Sequence, residues 1–372
     1  TLTQIELLKP VAPKFLQCWF DPRQKHGVSL LHKYRQICDA VGATAVLEIV
    51  VQSIDDFGNE LDRVAEYAEM ARLKVVGIAV CPVGDLKSVL PGGKRPPAPP
   101  LEELYVAARD SFPGIKLGGG MFSFFTELNR KRPPAQLLDF VTNTTCPIVH
   151  AADDRSVMET LEALAYQIET ARSFIGSTPH RVGPSSIGCR ENPHGATYAP
   201  NLNNERVCLA KVEPRQRGIF AAAWTLGYIA TLAQAGVSQI CMAAPTGPLG
   251  LIYARGDNAQ PWFDTLDGPA VYPVYHVLAG LTKGSGASIL QNQNSAPEKV
   301  ISFAYRAAGV TRLWLANLTA QTQNVRLSGL PKLPANGRAS IRKLHADNFV
   351  AVCAGRPLGP VPELKSEAVE LD

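Results

Sequence analysis

The sequence has little net charge and no long run of one sign. Its 372 residues include 37 Lys and Arg against 33 Asp and Glu, a formal charge of +4. Because the longest basic run is Arg130-Lys131-Arg132, we expect neither nucleic acid nor an anionic membrane as a partner. The longest apolar stretch, residues 219–233, is interrupted by Trp224, Gly227 and Thr231 and is too short to span a bilayer. The composition predicts a soluble globular protein.

The sequence also lacks the common motifs of metal, cofactor and nucleophile sites. Its eight cysteines stand far apart, without a C-x-x-C pair or a zinc-like Cys/His cluster, and no secretory signal is visible. This pattern predicts a reducing, cytoplasmic location. The glycines at 118–120 lack the dinucleotide spacing G-x-G-x-x-G, and no serine lies in a G-x-S-x-G elbow. We therefore predict no metal, no redox cofactor and no serine nucleophile.

From residue 14 to about residue 283, β-rich runs alternate with helix-like runs, which is typical of β/α units on a parallel sheet. The seven predicted strands are Phe15–Phe20, Ala45–Val51, Val75–Val80, Ile115–Leu117, Phe140–Asn143, His180–Val182 and Val237–Met242. The clearest predicted helices are Leu30–Ala40, Glu60–Arg72, Leu101–Arg109, Ser156–Phe174 and Arg215–Ala235.

The second predicted strand separates its polar and apolar residues by parity. Ala45, Leu47, Ile49 and Val51 form a wholly apolar face. Glu48 and Gln52 lie on the opposite face. Helices should cover the apolar face, so Glu48 should point into a closed barrel, with Gln52 nearest its C-terminal mouth. The same logic places Gln17, Trp19 and Asp21 inward. This pattern favours a (β/α)8 TIM barrel over an open doubly wound sheet.

After Gly284-Ser285-Gly286, strands follow one another without helices. The predicted strands are Ala287–Gln291, Val300–Arg306, Thr311–Asn317, Gln323–Leu327, Ala339–Leu344 and Phe349–Cys353. We predict a barrel domain over residues 1–285 and a small antiparallel β domain, sandwich-like, over residues 286–372.

Glu127 is the leading candidate for a general acid or base, since working residues of such barrels follow the strand ends. It lies between Phe124-Phe125 and Leu128, surroundings apolar enough to raise the pKa of a carboxyl group. Alternatively, it is a surface residue in the first turn of a helix.

His150 is the second catalytic candidate, with Asp153 as the carboxylate that orients it. The Asp153-Asp154 pair also precedes Ser156 and a predicted helix, so one of the two is expected to cap that helix.

Several other residues at predicted strand ends or in rim loops are candidates for substrate binding: Asp21, Gln52, Asn129, Arg190, Asn192 and Trp262. Arg190 and Asn192 open a long loop that runs to Val212, and such loops are often lids or binding loops. Arg190 suits a carboxylate or polyhydroxylated ligand because of its forked donors. Trp262 belongs to a second rim loop, residues 245–269, or alternatively to the core.

Several segments stand out together by their order and spacing: residues 118–120 (GGG), 125–130 (FTELNR), 133–134 (PP), 149–151 (VHA), 153–154 (DD), 159–163 (ETLEA), 214–216 (PRQ), 222–227 (AAWTLG) and 273–278 (PVYHVL). As a set they resemble the D-apionate lactonase family, whose members look like clan-A glycoside hydrolases in architecture.

The resemblance implies a (β/α)8 barrel followed by a small β domain, and hydrolysis of a sugar-acid lactone. It also implies that family members carry an upstream β domain and a first barrel strand. We therefore expect a gap in the barrel before Phe15, with Leu2–Leu8 as the first barrel helix. The sequence departs from the expected pattern at Ala244, where the resemblance implies a glutamate ahead of Thr-Thr-Gly.

The sequence thus predicts a hydrolase that opens a D-apionolactone-like ring by general acid/base catalysis at the C-terminal face of a barrel. A small sugar or sugar-acid lactone is the expected partner. Two alternatives stay open. A retaining clan-A glycoside hydrolase would pair Glu127 with Glu191, and a non-catalytic barrel would only bind carbohydrate.

Overall fold

The computed structural model of the protein describes residues 1–242, 244–329, 340–359 and 368–371. Seven parallel strands form one sheet in sequence order and curl into a nearly closed TIM barrel. They are β1 (Phe15–Phe20), β2 (Thr44–Val51), β3 (Val75–Pro82), β4 (Lys116–Phe124), β5 (Phe140–Thr144), β6 (His180–Ser185) and β7 (Gln239–Met242). The barrel architecture and its seven strands confirm the sequence prediction.

Helices connect the strands and cover the outer face of the barrel. They are α1 (Ile5–Leu8), α2 (Val28–Val41), α3 (Phe57–Met70), α4 (Leu101–Ser111), α5 (Phe125–Lys131), α6 (Asp154–Ile175), α7 (Ile219–Gln234) and α8 (Pro273–Leu281). The predicted helix over residues 2–8 is a 3-10 turn followed by α1.

The alternation along β2 explains how the sheet is packed on both faces. Leu47 and Ile49 point outward into the core formed with α2 and α3. Val46 and Val50 point inward, and Glu48 on the same face is fully buried. Burial of each large apolar side chain contributes about 1.5–3 kcal/mol. The predicted inward position of Glu48 is therefore confirmed.

The barrel has one seam, because β1 and β7 are the edges of the sheet and do not pair with each other. A cavity of about 620 Å³ lies there, lined by both edge strands, by Leu8 of α1 and by Leu278 of α8. The predicted gap before Phe15 is present.

Strand β4 is longer than the sequence predicts, because the glycines at 118–120 continue it. A Cβ atom on Gly118 would lie 2.1 Å from the ring of Phe140, and Gly120 has a φ of +127°. Glycine is required here because the neighbouring side chain and backbone fill the space.

The C-terminal region is largely antiparallel, as predicted. Its strands are β10 (Ser288–Leu290), β11 (Val300–Ala307), β12 (Val310–Asn317), β13 (Gln323–Arg326) and β14 (Ala368–Leu371), while β8 (Ala244–Thr246) and β9 (Gly250–Ile252) follow the barrel. The sheet β10–β12 packs on α7 and α8 through Phe303, Tyr305 and Trp314.

Two predicted strands of this region are wrong or lie partly outside the described residues. Phe349–Cys353 is a short helix, α9, because Phe349 and Cys353, four residues apart, are buried together in one core cluster. Of the predicted strand 339–344, residue 339 lies outside the described residues, and residues 341–344 are not a strand.

Candidate active site at the mouth of the barrel

The segments that follow the strands, together with Glu48 of β2, form two groups of charged side chains at the mouth of the barrel. We call Asp85, Arg95, Glu127, Arg130 and Lys131 the anchoring cluster. We call Asp21, Arg23, Glu48, Arg190 and Glu191 the open cluster.

The anchoring cluster fixes the segment after β3 against helix α5. Asp85 is fully buried, and the Nε and Nη2 atoms of Arg95 donate to its carboxylate at 2.8 and 2.5 Å. Lys131 Nζ, at the end of α5, lies 3.1 Å from Asp85 Oδ1. The negative charge of the buried Asp85 carboxylate is thereby neutralised by two cations, Arg95 and Lys131.

Glu127 belongs to this cluster, and its carboxylate is fully occupied. Ser88 Oγ and Arg130 Nη1 donate to Oε1 at 2.6 and 2.8 Å. Val89 N donates to Oε2 at 3.3 Å, and Lys131 Nζ lies 3.4 Å from it. Burial raises the pKa of Glu127, but these partners outweigh burial and lower it overall. The prediction of a raised pKa is therefore wrong. Local sequence could not reveal the partners, because Ser88 and Val89 belong to the segment after β3 and are distant from Glu127 in sequence.

His150 and Asp153 do not form the expected pair. Asp153 accepts a hydrogen bond from Ser156 N at 2.9 Å and caps α6, which confirms the predicted cap. That bond lowers the pKa of Asp153. His150 is exposed, with its ring centroid 6.2 Å from that of His194. Asp153 thus orients the start of a helix, whereas the predicted catalytic role of His150 stays a prediction.

The open cluster rests on a buried ion pair inside the barrel. The carboxylate of Glu48 accepts hydrogen bonds from Arg190 and from Gln17 Nε2. The guanidinium carbon of Arg190 lies 4.7 Å from the ring centroid of Trp19, a cation–π contact. Arg190, which the sequence predicts as a binding residue from its place after a strand, is therefore held by both Glu48 and Trp19. Its partner Glu48 is 142 positions away, so local sequence could not reveal the pair.

Glu191, the next residue, has a half-buried carboxylate that accepts no hydrogen bond from any described residue. Burial raises its pKa, although the positive charges of Arg190, Lys211 and Arg23 act in the opposite direction. The carboxylate of Asp21 adds to the increase. Burial outweighs the attraction of three cations, so the pKa of Glu191 shifts upward towards the working range of an acid/base group.

Asp21 and Arg23 form the outer part of the open cluster. Asp21 is fully buried, and Arg23 Nε and Nη2 donate to its two oxygens at 2.9 and 2.7 Å. Because Arg23 occupies this carboxylate and is itself 38% exposed, Arg23 is the better placed of the two to meet a ligand. The only sequence signal for Arg23 is its position just after a strand.

The remaining predicted binding residues divide into two kinds. Asn129 of α5 accepts a hydrogen bond from Arg132 at the end of the same helix, and Asn192 accepts from the backbone of His194 and Gly195 in its own loop, so both amides serve local structure. Gln52 and Trp262 are exposed, and Trp262 packs edge-on against Phe349. Their contacts with substrate stay predictions.

Within the described ranges, no three His, Cys, Asp or Glu side chains are close enough together to hold a metal ion. No helix in the same ranges is long and apolar enough to cross a membrane.

Comparison with known proteins matches the chain to two models of one family. Residues 1–286 match the D-apionate lactonase TIM barrel domain, and residues 297–372 match the D-apionate lactonase C-terminal immunoglobulin-like domain. A curated D-apionate lactonase of Brucella anthropi is 37% identical over 333 residues. The match covers 90% of this chain and 53% of that protein, so the chain spans about half the length of its relative.

Solved structures give weaker likenesses. A calcium-binding mutant of Bacteroides uniformis β-glucuronidase 2 aligns with a TM-score of 0.46 and 11% identity, over 91% of this chain and 48% of that one. A fungal β-1,4-galactanase aligns with a TM-score of 0.42 and 11% identity, over 64% of this chain and 80% of that one. Values this low say nothing about activity.

Proposed function

The chain belongs to the D-apionate lactonase family, and from this we propose that it is a hydrolase that opens the lactone ring of a sugar acid. The motif resemblance is confirmed at the level of the family. The observation that supports the proposed activity most directly is the open cluster, where the carboxylate of Glu191, which accepts no hydrogen bond from the described residues, lies among cationic side chains at the mouth of the barrel. The D-apionolactone-like ring is the proposed substrate.

Lactone hydrolysis has three chemical requirements. A base must remove a proton from the attacking water, donors must stabilise the tetrahedral oxyanion, and an acid must protonate the departing ring oxygen. Arg23 and Arg190 are fixed cations suited to the second task, since each is held by a buried carboxylate. Gln52 and Trp262, exposed at the rim, are proposed to contact sugar hydroxyl groups.

The acid/base role predicted for Glu127 stays a prediction, and the contacts of its carboxylate favour a positioning role instead. Because the Glu127 carboxylate binds Ser88 and Val89, it orders the segment that follows β3. Lys87 of the same segment donates to the carbonyl groups of Asn192 and Gly195 at 3.0 and 2.7 Å. The anchoring cluster therefore holds one wall of the proposed site in place.

Proton release from a panel of aldonolactones tests the proposal. Ring opening at neutral pH yields a carboxylic acid that ionises, so a pH indicator follows turnover directly. We expect hydrolysis of at least one five-membered sugar lactone well above the spontaneous rate. Cleavage of aryl glycosides without lactone opening would replace the proposal with the glycosidase alternative, and sugar binding without turnover would replace it with the non-catalytic one.

A further inference from the structure

We infer that Glu191 is the side chain that moves the proton during lactone opening, a catalytic role that rests on the proposed function. The argument begins with its place. Glu191 follows β6, and its backbone is held on both sides. Cys189 Sγ donates to the Glu191 carbonyl at 2.7 Å, and Tyr198 Oη donates to the Arg190 carbonyl at 2.5 Å. The main chain is thus fixed, while no residue in the described part of the chain donates to the carboxylate.

The other buried carboxylates at the mouth are already committed. Asp21 is bound by Arg23, Glu48 by Arg190, and Asp85 by Arg95 and Lys131. Glu127 accepts three hydrogen bonds and lies 3.4 Å from Lys131 Nζ. Among these five carboxylates, in the described part of the chain, Glu191 is the one whose oxygens accept no hydrogen bond. A carboxylate can exchange a proton with a substrate only through a free lone pair.

The surroundings of Glu191 supply charge without occupying it. The guanidinium of Arg190, the preceding residue, acts on Glu191 by its charge and is held in place by Trp19 and Glu48. Lys211 Nζ lies 4.8 Å from the centroid of the Tyr198 ring, on the loop that also carries Glu191. These cations attract a developing oxyanion, while half-burial keeps the proton affinity of Glu191 above that of an exposed glutamate.

The chemical step balances with water as the sole co-reactant. The Glu191 carboxylate takes a proton from water as the water oxygen bonds to the lactone carbonyl carbon. The tetrahedral oxyanion forms next to the guanidinium groups of Arg23 and Arg190. When it collapses, the ring C–O bond breaks and Glu191 returns the proton to the ring oxygen. The products are the open-chain hydroxy acid and the original carboxylate.

The test compares Glu191→Gln, Glu191→Asp and Glu66→Gln with the wild-type protein. Glu66 is an exposed residue of α3 and serves as the matched control. We expect Glu191→Gln to lower kcat by about 10²–10⁴-fold, the usual contribution of general acid/base catalysis, with KM and the circular dichroism spectrum nearly unchanged. Glu191→Asp, which keeps the charge but shortens the side chain, should retain more activity and an acidic limb in its pH profile. The Glu191→Gln variant should lose that limb.

The outcomes separate this inference from the proposed function. If the wild-type protein opens lactones and Glu191→Gln matches the Glu66→Gln control, Glu191 is not the proton-transfer group and the lactonase proposal stands. If the wild-type protein opens no lactone in the panel, both are wrong. Should Glu191→Gln fail to fold, Glu191→Ala assayed with added formate provides the same decision, because a small carboxylate restores activity only where the missing group moved a proton.

Discussion

Glu127 and Glu191 both follow barrel strands and both lie at the mouth, yet they have opposite surroundings. Glu127 accepts hydrogen bonds from Ser88, Arg130 and Val89, and its pKa is lowered. Glu191 accepts none from the described residues, and its pKa is raised. The difference shows that position after a strand brings a carboxylate to the mouth, while distant partners decide whether it holds a loop or exchanges a proton.

The largest expected effect comes from breaking the ion pair between Glu48 and Arg190 within the open cluster. Arg190→Met leaves the fully buried Glu48 without its cation, which should cost about 3–5 kcal/mol of unfolding free energy. Urea unfolding of the variant measures this. The exposed pair Arg155 and Glu159 offers a control, since Arg155→Met should leave the free energy of unfolding nearly unchanged. Equal losses in the two variants would mean that the Glu48 pair does not support the cluster.

The second largest expected effect tests whether the anchoring cluster stabilises the fold without taking part in catalysis. Glu127→Gln removes the charge that Arg130 and Lys131 neutralise, and should lower the free energy of unfolding by about 1–3 kcal/mol. The kcat for lactone opening should fall less than about tenfold, since general acid/base catalysis is worth far more. Unfolding and turnover of the same preparation test both numbers. A much larger loss of kcat with unchanged stability would restore the catalytic role predicted from sequence.

A smaller effect is the pH dependence of stability, whose sign should differ between the two carboxylates. The lowered pKa of Glu127 makes its ionised form stabilising above the unfolded value of about 4.3, and that contribution is lost as pH falls. The raised pKa of Glu191 has the opposite sign, so folding becomes more favourable through this group as pH falls.

Melting temperatures of Glu127→Gln and Glu191→Gln at pH 7 and pH 4 measure these signs. Relative to the wild-type protein, Glu127→Gln should be destabilised at pH 7 and less so at pH 4. The stability gained by Glu191→Gln should be larger at pH 7 than at pH 4. If both substitutions changed the melting temperature in the same direction, the two carboxylates would not have pKa values shifted in opposite directions, and the account would be contradicted.

The smallest expected effect lies at the rim. Trp262 is 58% exposed and contacts Phe349 only at an edge, so Trp262→Ala should leave the fold intact. We expect KM for the lactone to rise severalfold with kcat unchanged, because a stacking contact is worth about 0.5–1.5 kcal/mol. Steady-state kinetics separate the two constants, and an unchanged KM would remove Trp262 from the binding site.

Much of the fold could be predicted because its causes are local. Alternation along β2 predicted that Glu48 points inward, and the spacing of Asp153 and Ser156 predicted a helix cap. The prediction failed where distant packing decides. β4 continues through its glycines because Phe140, Tyr105 and the backbone of Thr142 fill the space that side chains would need there, and Ser88 and Val89, which bind Glu127, come from another loop. The same reason hid the pairing of Glu48 with Arg190.

The central claim is that proton transfer belongs to Glu191 and loop order to Glu127. Its most direct test is the ratio of kcat values of Glu191→Gln and Glu127→Gln on one lactone that the wild-type protein opens, at pH 7 and equal folded concentration. We predict that Glu191→Gln is at least about tenfold slower than Glu127→Gln, since only the former loses general acid/base catalysis. A slower Glu127→Gln variant would contradict the claim.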